Sequence, residues 1–165
     1  MPLVRTPEDL QSYLEQHGIE ARLFRPAGET PTVEAAARAI GCTPEQVIKS
    51  VLFMVKRNNR REPALVLVAG TAPISYRALG EVFGVGRKKV RMATPDEVIA
   101  YTGYPVGGVP PFGHPQPLPT FVDQTVLAQP ILYAGGGDDR TMMEISRETL
   151  LRITRATVID VTSAS

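Results

Sequence analysis

The stretch that decides the fold is Val47-Ile48-Lys49-Ser50-Val51-Leu52-Phe53-Met54-Val55, in which every side chain except Lys49 and Ser50 is apolar. An extended chain of this composition is apolar on both faces, which is typical of a central strand covered on both sides. The polar run from Lys56 to Arg61 is predicted to turn the chain into a second buried strand, Ala64 to Ala69. Two consecutive buried strands therefore predict a sheet at the centre of the fold.

Helix start signals surround this pair of strands. Three Thr-Pro-acid triplets begin at Thr6, Thr43 and Thr94, and each supplies an N-cap, a proline at the first helical position and a favourable negative charge. We predict helices at about 7–17, 33–40, 76–83, 95–101 and 147–153, and further strands at about 20–25, 120–123, 131–134, 141–145 and 157–161. Short strands and short helices in this order predict an α/β (α+β) fold, a compact single domain over 1–165 with a curled mixed β-sheet or partial barrel flanked by short helices.

Composition excludes several classes of protein. The chain has 165 residues, the length of one domain, and a net charge of +1 from 18 basic and 17 acidic residues. This balance argues against a protein that coats a polyphosphate chain. A single cysteine, Cys42, cannot form an internal disulfide and fits a reducing cytoplasm. We expect a cytoplasmic protein without a membrane span, because the longest apolar run has five residues and a span needs about 20.

Lys49 is unusual because it lies near the start of an otherwise apolar strand. A lysine in this position either extends its amine along the strand end to water or directs a cation into a pocket. In the second case the ammonium could hold a carbonyl oxygen, a ribose hydroxyl or a phosphate. The sequence leaves both alternatives open.

A segment rich in proline and glycine, Gly103 to Pro119, holds six of the fifteen prolines and four of the glycines. Glycine lets a ligand approach backbone N–H groups, and proline stiffens the loop, so that fixed donors suit a developing oxyanion. The alternative is a long surface loop held by its prolines. His114, within this segment, either contacts a ligand or stabilises the loop.

Three further features are ambiguous. The stretch Ala134 to Asp139 is a weak phosphate-loop signal and is better interpreted as a hairpin turn. The basic runs Lys56–Arg61 and Arg87–Lys89 are interpreted as solvated turns, with a modest electrostatic footprint for RNA as the alternative. Asp123 is predicted to cap the turn that follows its strand. Two histidines and one cysteine give no metal-ligand spacing, so no metal site and no cofactor is expected.

Taken together, three of these segments resemble one family. Residues 32–50, from the capped helix to the strand with Lys49, are similar to the amino-terminal signature of the YbaK/prolyl-tRNA synthetase-associated editing domains. The segment 103–113 resembles the family's Gly-Gly-x-x-Pro-x-Gly loop, and 118–123 and 134–136 follow in the family's order. The resemblance covers about 18–153, nearly the whole chain.

The resemblance implies a compact α/β domain that hydrolyses mischarged aminoacyl-tRNA, with water as the nucleophile and the tRNA's own terminal hydroxyl helping to activate it. It places Lys49, Gly107 and Gly108 in catalytic positions. Many members have serine where this chain has Pro110 and Tyr133, and the resemblance does not decide whether Asp138 or Asp139 takes part. The substrate-binding residues that it implies are Thr32, Ser50, Pro110, Phe112, His114 and Gly135.

The expected function is therefore a free-standing aminoacyl-tRNA deacylase that acts in trans on the tRNA acceptor end, with an aminoacyl-tRNA synthetase as an optional second partner. The alternatives are a non-catalytic binding module for an aminoacyl- or nucleotide-like ligand, and a small-molecule esterase or amidohydrolase. The near-neutral charge predicts weak affinity for the tRNA body, with binding dependent on the aminoacylated 3′ end.

Overall fold

The computed structural model describes residues 3–162, and within them it contains six α-helices and eight β-strands. The helices are α1 (Pro7–Gln16), α2 (Val33–Ile40), α3 (Tyr76–Phe83), α4 (Pro95–Thr102), α5 (Gln124–Leu127) and α6 (Arg147–Thr154). The strands are β1 (Ala21–Phe24), β2 (Ile48–Arg57), β3 (Arg60–Ala69), β4 (Val90–Met92), β5 (Thr120–Asp123), β6 (Ile131–Gly135), β7 (Met142–Ser146) and β8 (Thr157–Ile159). Single 3₁₀ turns lie at Pro44–Gln46 and Arg87–Lys89.

The strands form two sheets. One has five strands in the order β4-β2-β3-β5-β8, antiparallel around β2 and parallel from β3 to β8. The other has three antiparallel strands in the order β1-β7-β6. An isolated parallel bridge from Val47 to Tyr133 joins the two sheets. The predicted mixed α/β fold with short flanking helices is confirmed, and its sheets remain open rather than closing into a barrel.

Core packing confirms that β2 is apolar on both faces. Leu52, with Leu65 and Leu67 of β3, is buried in one cluster. Phe53 and Val55 are buried in a second cluster, which includes the α3 side chains. This double burial fixes β2 rigidly at the centre of the molecule, with its Lys49 end at the edge of the core.

The predicted turn over Lys56–Arg61 is wrong in extent. The turn consists of Asn58 and Asn59, with φ angles of 49° and 62°, and the basic residues on either side belong to the ten-residue strands β2 and β3. Two residues with positive φ make the hairpin connection whose twist matches that of the strands, and asparagine tolerates it best after glycine. The hairpin therefore carries its basic side chains on ordered strands.

The predicted helix starts are confirmed by hydrogen bonds. Thr6 and Thr94 each form a capping box with an acid three residues later, Asp9 and Glu97. Thr32 caps α2, which ends at the left-handed Gly41. The strand β4 was not predicted, because three residues are too few to show a period, whereas α5 forms where Asp123 was predicted to cap a turn.

Asp123 confirms its predicted role as a cap and does more. Its carboxylate is fully buried and accepts hydrogen bonds from the Thr125 N–H (3.0 Å) and hydroxyl (2.6 Å), the Val161 N–H (2.8 Å) and the Thr162 hydroxyl (2.8 Å). One side chain therefore fastens the segment after β8 to the end of β5.

Asp123→Ala is expected to lower the free energy of unfolding by about 3 kcal/mol, because it leaves a buried N–H at Val161 without a partner and removes the α5 cap. Urea denaturation measures this loss. The exposed Asp96→Ala, in the first turn of α4, is the control and is expected to change it by less than about 1 kcal/mol. Equal stability of the two variants would contradict the prediction.

Candidate active site

A cavity of about 1,120 Å³ opens at the Lys49 end of β2. Its walls come from five parts of the chain that are distant in sequence: 28–36, 47–52, 92–98, 106–109 and 135–142. The first part leads into α2, and the third joins β4 to α4. Of the predicted site residues, the cavity wall contains Thr32, Lys49, Ser50, Gly107 and Gly135.

Lys49 is exposed in the cavity wall. Its ammonium has no ion pair and no hydrogen bond to any residue in 3–162. Because the ammonium has no partner in the fold, a ligand can bind it without breaking an existing ion pair or hydrogen bond. The cavity contains a second such cation, Arg140, and two carboxylates, those of Glu29 and Asp139.

Ser50 contributes unpaired polar groups. The Leu52 carbonyl accepts a hydrogen bond from the Ala93 N–H (2.9 Å), so Ser50, two residues earlier, directs its backbone N–H and C=O to the same edge of β2. No described strand pairs with that edge at Ser50, because the pairing of β2 with β4 starts only at Phe53 and the bridge to β6 lies at Val47. The Ser50 hydroxyl is also buried without a partner in the described residues. The cavity therefore meets an open strand edge.

Thr32 lines the cavity and caps the N-terminus of α2, which forms part of the cavity wall. Its Oγ1 accepts the Ala35 N–H at 3.0 Å, so its hydroxyl proton remains free to donate. The same threonine thus begins α2 and lines the cavity.

The two predicted catalytic glycines differ in their hydrogen bonds. Gly107 is exposed in the cavity wall with φ +92°, and its N–H has no partner within the described part of the chain. Gly108 is buried; its N–H donates to the Pro105 carbonyl (3.0 Å) and its carbonyl accepts the Gly137 N–H (2.9 Å). Of the two, Gly107 offers an unengaged amide donor to the cavity.

The two glycine-rich segments pack backbone against backbone. A Cβ on Gly108 would lie 2.5 Å from the Asp138 nitrogen, and a Cβ on Gly135 would lie 2.4 Å from the Val109 oxygen. Side chains at either position would separate the segments. The sequence analysis explained Gly108 by ligand approach and placed Gly135 in a hairpin turn, and the structure adds that both glycines let the two segments pack closely.

Gly108 and three other predicted residues, Pro110, Phe112 and His114, do not line the cavity. Pro110 and Phe112 are buried, and Phe112 packs its ring 6.0 Å from that of Tyr13. His114 Nε2 is 2.8 Å from the Pro110 carbonyl, and burial lowers the pKa of its imidazole despite that contact. This geometry favours the loop-stabilising alternative for His114, and substrate contact by the three residues stays a prediction.

The structure separates the two acids of the second glycine segment. Asp139 lines the cavity, whereas Asp138 forms an ion pair with Arg25 (3.5 Å) and accepts the Arg140 N–H (2.9 Å). Burial raises the pKa of Asp138, but hydrogen bonds to its carboxylate outweigh that effect and hold the pKa below its usual value. Asp138 is thereby committed to its turn, and Asp139 is the acid free to face a ligand.

Sequence reasoning missed several wall residues, including Glu29, Met92, Arg140 and Met142. Their place in the wall results from contacts between distant segments, and no local pattern announces it. Among residues 3–162, no three His, Cys, Asp or Glu side chains are grouped so that they could hold a metal ion. No helix in the same range has the length and apolar character needed to cross a membrane.

Comparison with known proteins identifies the kind of domain. The family model described as the aminoacyl-tRNA editing domain matches residues 27–153. YwhH of Bacillus subtilis, an uncharacterized protein, is 30% identical over 119 residues, which are 72% of this chain and 72% of YwhH. EbsC of Enterococcus faecalis, named for a proposed Cys-tRNA(Pro)/Cys-tRNA(Cys) deacylase activity, is 22% identical over 91% of this chain and 90% of its own. A crystal structure described as a proposed trans-editing enzyme for prolyl-tRNA synthetase superposes with a TM-score of 0.85 and 31% identity, over 96% of this chain and 97% of that one.

Proposed function

Because this chain belongs to the aminoacyl-tRNA editing domain family, we propose that it hydrolyses the ester bond of mischarged aminoacyl-tRNA in trans. The observation that carries the proposal is the cavity, whose walls combine an unpaired ammonium at Lys49 with an unengaged amide at Gly107. These are the groups that ester hydrolysis needs to stabilise a developing negative charge. Relatives named for deacylation and trans editing support the same reaction.

In the proposed mechanism, water adds to the ester carbonyl and the carbonyl oxygen becomes an oxyanion. The Lys49 ammonium and the Gly107 N–H stabilise that oxygen, while Thr32 and Gly135 bound the space beside it. The C–O bond to the ribose then breaks, and the ribose oxygen leaves as a hydroxyl with the proton that the water gave up. The tRNA's terminal hydroxyl, as the family resemblance implies, helps to take that proton from the water.

Cavity size supports an aminoacylated nucleotide as the occupant. A volume of about 1,120 Å³ is slightly above the range of roughly 300–1,000 Å³ found for small-molecule sites. That space suits the 3′-terminal adenosine together with its amino acid. The remaining body of the tRNA would stay outside the cavity.

The proposed setting is the cytoplasm, with the aminoacylated acceptor end of tRNA as the partner. A relative described as a trans-editing enzyme for prolyl-tRNA synthetase supports action on tRNA that a synthetase has released, with that synthetase as an additional partner.

A deacylation panel tests this proposal. Purified protein is incubated with tRNAs charged with correct and incorrect amino acids, and the loss of ester is followed with time. We expect turnover of at least one mischarged tRNA and little loss of the correctly charged ones. Binding without turnover of any substrate would favour the non-catalytic module, and equally fast cleavage of simple amino acid esters would favour a small-molecule esterase.

A further inference from the structure

The two basic runs that are separate in sequence meet on one surface of the fold. Lys56 of β2 pairs with Arg61 of β3, and Val55 pairs with Val90 of β4. The next residue outward from Val90 is Lys89, which therefore flanks Lys56 on its other side. We define the basic patch as Lys56, Arg60, Arg61, Arg87, Lys88 and Lys89.

The basic patch carries uncompensated charge. Nearby carboxylates are already engaged: Glu62 pairs with Arg57 (3.0 Å) and Glu97 pairs with Arg91 (2.7 Å). No residue of the patch has an ion pair within 3–162, and all except the half-buried Lys56 are exposed. Outside the patch the chain keeps 12 basic against 17 acidic residues, so the net charge of +1 conceals a strongly positive end and a negative remainder.

The basic patch lies within reach of the proposed active site, although none of its residues lines the cavity. Met92, at the end of β4, lines the cavity, and Lys89, in the 3₁₀ turn just before β4, lies three residues away, at most about 10 Å. Along β2, Lys49 and Lys56 are separated by seven residues, about 23 Å. The cavity and the patch therefore lie towards opposite ends of β2, with Lys49 and Lys56 on opposite faces of the strand, at a separation that a few nucleotides can span.

We propose that the basic patch binds the phosphate backbone of the double-stranded acceptor stem while the 3′ end occupies the cavity. Double-stranded RNA is recognised mainly through its shape and its phosphates, and closely spaced lysines and arginines supply the required charge. The identity of the RNA rests on the proposed function, whereas binding to duplex RNA follows from the patch itself. Such binding would be stronger than the weak contact with the tRNA body that is expected from net charge alone.

The experiment measures binding to a 12-base-pair RNA duplex as a function of salt concentration. The duplex has a single-stranded 3′ overhang that carries no amino acid. For the wild type we expect the logarithm of the affinity to fall against the logarithm of salt with a slope of about three to six. Lys88→Gln combined with Lys89→Gln should lower that slope by about two and weaken binding roughly tenfold at moderate salt. The matched control, Arg38→Gln combined with Arg152→Gln, removes two exposed charges outside the patch and should change neither quantity appreciably.

Two results would overturn the proposal: equal loss of affinity in the patch variant and the control, or no binding of the duplex by the wild type. Thermal melting of both double variants confirms that exposed substitutions leave the fold intact. With a mischarged RNA of the same length, the patch variant should raise KM and leave kcat unchanged. Patch-dependent RNA binding without any hydrolysis would contradict the deacylase proposal while supporting this one, so the two failures are distinguishable.

Discussion

Lys49→Ala is expected to lower kcat for hydrolysis of mischarged tRNA by about 100- to 1,000-fold, the usual cost of removing one group that stabilises an oxyanion. The ammonium has no partner in the described residues, so its removal breaks no ion pair and the fold should remain stable. Lys49 lines the cavity and has no structural contact, so its replacement should change the rate of hydrolysis more than the stability of the fold. Single-turnover deacylation and thermal melting, measured on the same protein sample, separate the two effects.

The control for this prediction is Arg38→Ala, which removes an exposed cation from α2 outside the cavity wall. It should keep wild-type kcat and melting temperature. Lys49→Arg retains the charge on a longer, planar group and should recover only part of the rate. Full activity of Lys49→Ala would rule out this lysine as the electrostatic catalyst.

Local signals in the sequence were sufficient for most of the fold. Thr32 predicts the start of α2 and Gly41 predicts its end, because capping is decided by neighbouring residues. The pattern of β2 is also local: because its side chains are apolar on both faces, the strand is predicted to lie at the centre of the fold, covered on both sides. The β2–β3 hairpin shows the limit, since two asparagines with positive φ made a shorter turn than the polar run suggested.

The candidate site was predictable in part. Lys49 stood out because a charge in an apolar strand needs a reason, and it does line the cavity. Arg140 and Met92 gave no signal, since their positions depend on how distant segments pack. Net charge shows another limit of composition: it averages over the surface, whereas the strand register brings Lys56, Arg61 and Lys89 together.

Gly108→Ala tests whether the cavity depends on the contact between the two glycine-rich segments. A Cβ at this position would lie 2.5 Å from the Asp138 nitrogen, 2.6 Å from its Cα and 2.7 Å from the Gly137 carbonyl carbon. All three are backbone atoms, so no side chain can rotate away and the segments must separate. We expect a loss of about 1–3 kcal/mol in the free energy of unfolding.

The same substitution should also lower kcat by about 100-fold, because displacement of catalytic groups by about 1 Å has effects of this size. Gly107 is the neighbour of Gly108, and its unengaged N–H would move with the loop. The matched control is Gly86→Ala, at φ −68° with no heavy atom within 4 Å of the added Cβ, and it should leave rate and stability unchanged. If Gly108→Ala loses stability but keeps its kcat, then the loop does not position the reacting groups. In that case a donor other than the Gly107 N–H stabilises the oxyanion.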